Sequence, residues 1–509
     1  MTVTQPAVVR RSGRYFWAAR LLTHLRSASR ARRSLLTSAG AALIVGGCQT
    51  FSADGGLGPT QAIVRGELGK ETVKISSEAD AAAARARVAA LLQKPLTADS
   101  AVQVALLNNR GLQAAYNALG ISEAEFVAAS LPPNPAFSFS RLGGNLELEI
   151  ERRVVANLLA LLTLPARKEI AEGLFRQAQL RAAQETLTVV GEARRSYYRA
   201  VAAGQVVGYL QQAQLSAEAA SDLTKKLGET GAASKLDQAR EHAFHAEVAA
   251  QLGQARQRQK AERERLTRVL GLWGSDVAFR LPAALPALPR RPWTLQAAEA
   301  DAVRKRVDLQ IARLELETLA KAYGLTNATR FVNVLELAGL SSYERTKSVR
   351  ETAGGSEPEK DKTFRRGFEI GFEIPIFDGG ETRVRDAQER YMQAVNRLAE
   401  KAVNIRSEAR EAYQLYRGAY DLAAHYRDQV LPLRKTISDE SQLRYNAMII
   451  DVFELLADAR ARIASTVTAI EAQRDFWIAD TDLRSALIGG GGGGGGAGEA
   501  PRSAGAAAE

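Results

Sequence analysis

Cys48 is the only cysteine in a chain of 509 residues, and it closes an apolar run in LIVGGCQTF, residues 43 to 51. A single cysteine excludes an internal disulfide, a CxxC pair and any zinc site built on several thiolates. Its sulfur works alone or not at all. His242 and His245, beside Glu241 and Glu247, have the i, i+3 spacing of two ligands on one helix face. No third strong ligand lies nearby in sequence, so ordinary polar helix positions are the competing reading and no metal is assigned. Carboxylates alternate with apolar residues at Glu147, Glu149 and Glu151 in NLELEIE, residues 145 to 151, and at Glu369 and Glu373 in FEIGFEIPIF, residues 368 to 377. No nucleophile with its base, triad or phosphate loop stands on a plausible pocket, and Gly379-Gly380 lacks the lysine and spacing of a phosphate loop. A non-enzyme without a cofactor is expected.

The elements around Cys48 give it a context. Residues 1 to 47 hold eight arginines and no acid, so only +3 of the formal charge of +11 belongs to the rest of the chain. That remainder mixes both signs without a basic, aromatic-interleaved patch, which argues against nucleic acid as a partner. The basic stretch ending at Arg33, the apolar run Leu35 to Val45 and the small Gly46 and Gly47 read as a signal peptide over 1–47. The apolar run is too short to span a bilayer as a helix. Val45-Gly46-Gly47-Cys48 resembles the lipobox of bacterial lipoproteins, which implies acylation of Cys48. A stray cysteine in an ordinary signal peptide is the alternative.

Residues 48–90 read as a lipidated N-terminal tether, rich in Gly, Ser and Ala up to about Lys70. At the other end, eight glycines open a small-residue tail, 489–509, that cannot bury enough apolar area to order itself. Between them lies a duplication. Leu96-Thr97, Ala101, Ala105 and Leu112-Gln113-x-Ala115 recur as Trp293-Thr294, Ala298, Ala302 and Leu309-Gln310-x-Ala312. Glu192-Ala193-Arg194 with Tyr197 recurs as Glu408-Ala409-Arg410 with Tyr413, and LGETGAASKL, residues 227–236, falls on YNAMIIDVFE, residues 445–454. The first repeat is 91–280, with strands at about 135–164 and a helical hairpin at about 166–272. A proline-rich linker, 281–292, leads to the second repeat, 293–488, with strands at about 329–377 and a helical hairpin at about 382–487.

Phe368, Ile370, Phe372, Ile374 and Ile376 alternate with Glu369, Gly371, Glu373 and Pro375, the period of a strand with one apolar and one polar face. RFVNVLELAGL, residues 330–340, supplies its partner, and LPPNPAFSFS with NLELEIE makes the corresponding hairpin of the first half. Arg152, Arg153, Arg365 and Arg366 lie close to the glutamates and would offset their charge. Apolar and small residues at spacings of three, four and seven, such as Leu180, Ala183, Leu187, Val190, Tyr197 and Val201, predict long coiled-coil-like helices over 166–228 and 382–446. At 1.5 Å per residue each is about 90 Å long.

Four strands are too few to close a membrane barrel in one chain, so several copies must contribute. The lipobox, LTADSAVQVALLNN at 96–109, LPPNPAFSFS at 131–140, GAASKL at 231–236 and GFEIPIFDGG at 371–380 together resemble the TolC-like outer-membrane efflux proteins, in particular the lipoproteins of tripartite exporters. The resemblance implies a mainly α fold with a small β part: a long α-helical coiled-coil barrel, plus four strands per protomer in a trimeric, twelve-stranded transmembrane β-barrel. It implies a homotrimer in the outer membrane of a Gram-negative bacterium, lipid-anchored and extending into the periplasm. A periplasmic adaptor protein and an inner-membrane pump would be its partners, and small toxic compounds, metal cations or drugs its cargo.

Within that frame the turns Gly231, Ala232, Ala233, Ser234 and Lys235, and Ala447, Met448, Ile449, Ile450 and Asp451, form the periplasmic tip that touches the adaptor. Asp451 is a candidate aperture carboxylate, or a helix N-terminal acid favoured by the helix dipole. Glu147, Glu149, Glu151, Glu369 and Glu373 are candidate lumen-facing residues, or a solvated face. A lipid-anchored periplasmic coiled-coil scaffold without a pore is the alternative function. If Cys48 is acylated, Cys48→Ser will abolish incorporation of labelled palmitate into the expressed chain; undiminished labelling would refute lipidation at this residue.

Overall fold

A computed structural model describes residues 51–145, 147–294, 304–352 and 355–489, with backbone alone for 349–352 and 355–358. The leader with Cys48, the repeat residues Ala298 and Ala302, and the tail beyond Gly489 lie outside the described residues. The order of elements repeats, each half placing a medium helix, a β-hairpin and a long helical hairpin in succession. In the first half these are α4 (Arg110–Ser130), β1 (Ala136–Gly143), β2 (Glu147–Asn157), a short α5 (Leu158–Leu162), α6 (Leu164–Glu229) and α7 (Lys235–Leu270). In the second they are α8 (Val307–Ala328), β3 (Val334–Thr352), β4 (Gly355–Glu373), α9 (Glu381–His425), α10 (Leu431–Asn446) and α11 (Val452–Ile488).

Three shorter helices precede these: α1 (Gly58–Leu68), α2 (Glu78–Leu92) and α3 (Ala98–Asn108). They correct the expectation of a loose segment up to about Lys70. Leu57 and Val64, one heptad apart, are fully buried; Thr60 Oγ1 of α1 donates to the Gln179 carbonyl of α6, and Gln179 Nε2 donates to the Gly56 carbonyl just before α1. Two buried residues are too few to register as a periodic pattern, so sequence reading passed over them. Reciprocal side-chain caps start α2 at Ser77, with Asp80, and α3 at Thr97, with Ser100, which satisfies amide groups the helix itself leaves open.

The long helices begin and end close to their expected limits. Pro165 sits in the first turn of α6, where its missing N–H costs nothing. The second long helix departs from expectation, because it is interrupted by a π turn at Tyr426–Val430. Pro432 follows directly, in the first turn of α10. A proline within a helix removes a donor and crowds the carbonyl of the preceding turn, and one widened turn relieves both. Gly380 caps α9 at the junction with β4; its φ of 72° and the 2.2 Å left between an added Cβ and the Arg330 carbonyl restrict the position to glycine.

Small residues set the helix spacing. Ala182, Ala183, Ala193, Ala200, Ala202 and Ala203 on α6 are buried together with Leu187, Val190, Tyr197 and Val201. Tyr197 Oη donates to the Leu96 carbonyl at 3.1 Å. In the second half Tyr416 Oη accepts from the Trp293 amide at 3.4 Å, and Tyr420 Oη donates to the Pro289 carbonyl at 3.1 Å. The tie to the linker therefore passes through these two tyrosines rather than through the sequence-matched Tyr413. Phe476 of α11 is fully buried, its ring centroid 5.5 Å from Tyr416, 5.6 Å from Tyr420 and 5.1 Å from Trp477. Trp477 in turn stacks on Tyr198 of α6 at 5.3 Å, which joins the two halves. Removing so large a packed ring costs about 3–5 kcal/mol. Phe476→Ala should lower the unfolding free energy of the solubilised protein, read from denaturant titration, by that much, and a change below about 1 kcal/mol would show that this cluster does not hold the halves together.

Candidate functional site: a two-faced sheet and a pair of helical turns

The two hairpins pair through β2 and β3 into one antiparallel sheet of order β1-β2-β3-β4, leaving β1 and β4 as edges. Cross-strand partners share a face, so the register assigns every side chain to one side or the other. The row Ala136, Val155, Ala338, Glu369 belongs to one face; the next, Phe137, Val154, Gly339, Phe368, belongs to the other. All five glutamates singled out from sequence fall on the first face. It also receives Glu336, Glu344, Glu359 and Asp361, which sequence reading missed because the apolar alternation that marks the strand stops near Phe368 and Leu340. Parity with Glu369 and Glu373 would have found them had the strands been extended.

The opposite face is apolar near the helices. Phe137, Phe139, Phe368, Ile370 and Phe372 are all exposed there, Phe368 by 77%. Alternation ends at Glu373, so Ile374 and Ile376 lie beyond the strand rather than in it. The four arginines near the glutamates are split by the register. Arg153 and Arg365 share the acidic face and approach Glu369 at 3.4 Å and Glu344 at 3.8 Å, half-exposed pairs that contribute little stability. Arg152 and Arg366 lie on the apolar face, with the Arg366 guanidinium 4.6 Å from the centre of the Phe364 ring. They cannot offset the glutamates as expected.

At the far end of the helices the two turns are structural copies. Ala232 and Ile449 amides reach back to the carbonyls of Leu227 and Arg444, and Gly231 and Met448 amides to those of Gly228 and Tyr445. Gly231 (φ 78°) and Met448 (φ 60°) occupy the left-handed conformation that ends each ascending helix. Ser234 and Asp451 then cap the descending helices, accepting from the amides of Asp237 (3.1 Å) and Glu454 (2.9 Å). The copies are 217 residues apart, which shifts the sequence match of LGETGAASKL by one position. Val452 and Leu456 pack in one cluster with Phe244 and Val248, and Arg240 lies 5.3 Å over the Phe453 ring, so both turns meet at one end. Met448 is 93% exposed, and Ile449, Leu236 and Phe453 are exposed beside it.

No described helix is long and apolar enough to cross a membrane. The sequence matches no protein-family model and no curated protein. Solved structures do match. The outer-membrane channel CmeC of Campylobacter jejuni superimposes with a TM-score of 0.65 at 16% identity, over 77% of this chain and 86% of its own. CusC, whose crystal structures concern folding and transmembrane channel formation, gives 0.61 at 18% identity, over 77% and 92%. The open state of the MtrE outer-membrane channel of Neisseria gonorrhoeae gives 0.58 at 16% identity, over 77% and 88%. At such identities the likeness is one of fold: this chain has the TolC-like fold of helical hairpins joined to a four-stranded sheet.

Below the tip, His242 hydrogen-bonds Ser221 across the α6–α7 hairpin, and no metal-type cluster of three or more ligands forms among the described residues. Glu241 is buried there with Oε2 lacking a hydrogen-bond partner. Burial raises its carboxyl pKa, while Arg460 and His242 act in the opposite sense. A carboxyl with a raised folded pKa binds its proton more tightly when folded, so its stabilising effect is full below the unfolded pKa and is lost as pH rises through the folded value. Glu241→Gln should therefore be more stable than the parent chain at pH 7, with the two converging below about pH 4. Thermal unfolding at both pH values checks this, and a variant less stable at pH 7 would contradict it.

Proposed function

We propose that the chain is one protomer of a trimeric outer-membrane export duct, through which an inner-membrane pump, joined by a periplasmic adaptor, drives small toxic compounds. Metal cations and drugs are both cargo classes compatible with the duct. The observation that carries this reading is the sorting of the sheet: an exposed aromatic face on one side, an acidic face on the other, and two open edges. Water has no use for the first face, and lipid cannot accept the second or the edges. Three copies side by side close the edges into twelve strands, with the aromatic face toward lipid and Glu147, Glu149, Glu151, Glu369 and Glu373 toward the lumen.

The helices support the same assembly. Met392, Val403, Leu415, Leu422, Leu433 and Ile437 remain exposed along α9 and α10, a seam for a neighbouring copy. The paired turns, with Met448, Ile449 and Phe453 uncovered, suit an adaptor at the periplasmic end, and the Asp451 carboxylates would stand at the narrow aperture. Duct and aperture are passive in this reading, the pump supplying the energy. Acylation of Cys48 would hold the start of the mature chain at the membrane that the barrel spans. A lipid-anchored scaffold accounts for the helices but leaves the aromatic sheet face unexplained.

Purified protein in a planar bilayer should give single-channel steps from a trimer-sized particle. Under a salt gradient the reversal potential should report cation preference, and Glu149→Gln with Glu151→Gln and Glu369→Gln should reduce it. A stable protein that forms no pore would leave the scaffold as the better account.

A further inference from the structure

Beyond the aromatic rows, the lipid-side face of the sheet turns basic. Arg141 on β1, Arg345 and Lys347 on β3, and Lys360 and Lys362 on β4 all share the parity of Phe137, Phe368 and Phe372. Among the described side chains that face carries no acid. The opposite face at the same height carries Glu344, Glu359 and Asp361. A generic solvated hairpin mixes both signs on both faces; here the acidic face keeps Arg153 and Arg365 among its carboxylates, while the described side chains of the other face carry cations alone.

The height is informative. From Leu335, the first apolar residue of this face on β3, to Arg345 is ten residues, about 33 Å along a strand at about 3.3 Å per residue. At the usual barrel tilt of about 40° this projects to about 25 Å, the height of the lipid-facing band of a membrane barrel. Arg345 and its cross-strand partner Lys362 thus stand where the apolar band ends, on the side away from the helices. Lys347 and Lys360 form the next row, on the part of the β3–β4 hairpin that extends past β2. Arg366, two rows inward, lies over Phe364, in the row that also holds Arg141 and Tyr343, as a long cation does when it reaches for an interface. Arg345 Nε is buried without a hydrogen-bond partner in the protein.

We propose that Arg141, Arg345, Lys347, Lys360 and Lys362 form an outward belt that binds the phosphate groups of anionic lipid headgroups in the distal leaflet, repeated around the assembled barrel. The inference rests on the membrane-channel reading, because it uses the apolar face as the lipid face. The belt would fix the depth and tilt of the barrel by anchoring one rim of it in headgroup phosphate.

The test uses the full-length protein in detergent, with native mass spectrometry to count bound lipid. Diphosphorylated lipid A should be retained in preference to phosphatidylethanolamine, and inorganic phosphate in large excess should not displace it. Each basic residue at an anionic lipid surface contributes about fivefold in affinity. The variant Lys347→Gln, Lys360→Gln, Lys362→Gln should therefore bind lipid A about a hundredfold more weakly. Its oligomer mass and its conductance in neutral bilayers should match those of the parent, which separates a failure of the belt from a failure of the channel reading. Undiminished lipid A binding by this variant, equal retention of the two lipids, or full displacement by inorganic phosphate would overturn the proposal. An equal loss on neutralising Glu147, Glu149 and Glu151 would overturn it too, by removing the dependence on face.

Discussion

The sheet is open. β1 and β4 carry unpaired backbone groups along both edges, and four strands cannot curl far enough to satisfy each other. In lipid each unsatisfied amide or carbonyl costs several kcal/mol, so the edges demand partners of the same geometry. In the proposed assembly, copies of the same chain supply them, and most of the other features follow from that demand. The two hairpins have to pair through β2 and β3 so that one protomer offers one contiguous arc. Each long helix has to leave the sheet at a fixed point, which Gly380 and Pro165 provide, and the helices have to carry a second apolar seam for the neighbour.

Duplication makes this arrangement economical in sequence. One plan of helix, hairpin and helical hairpin is used twice, and the two turns at the far end keep the same backbone hydrogen bonds although only glycine in one and methionine in the other occupies the left-handed position. The halves nevertheless differ in extent. β3 and β4 have 19 residues each against 8 and 11 in β1 and β2, so the second half alone extends the sheet past the apolar band and bears most of the basic belt. Among the described residues the π turn at Tyr426–Val430 also belongs to the second half, and it places a point of altered helix geometry nearer the tip than the sheet.

Much of this was legible in the sequence for identifiable reasons. Phe368 to Phe372 alternate over a strand buried on neither side by its own protomer, so period two survives undiluted. The seam through Ala183, Leu187, Val190 and Val201 was visible because small and branched residues recur at helical spacing from Leu180 to Val201. The upper half of β3 and β4 was not legible as strand, since Arg345, Lys347, Lys360 and Lys362 replace the apolar side of the alternation with cations, and a pattern search keyed to apolar residues ends there. Helix α1 escaped notice because Leu57 and Val64 are its only fully buried apolar residues, with Thr60 beside them a polar residue bonded to α6. The split of Arg152 from Arg153, and of Arg365 from Arg366, needed the register, because adjacent residues in a strand face opposite ways and sequence proximity misleads.

In the proposed assembly the aromatic face meets lipid and the acidic face meets water. Nitroxide labels at Phe368→Cys and Glu369→Cys, adjacent residues on opposite faces, read this directly when the protein is reconstituted in a bilayer. The label at 368 should collide with lipid-soluble oxygen and be shielded from an aqueous nickel chelate, while the label at 369 should show the reverse. Equal aqueous exposure at both positions, or the inverted pattern, would contradict it.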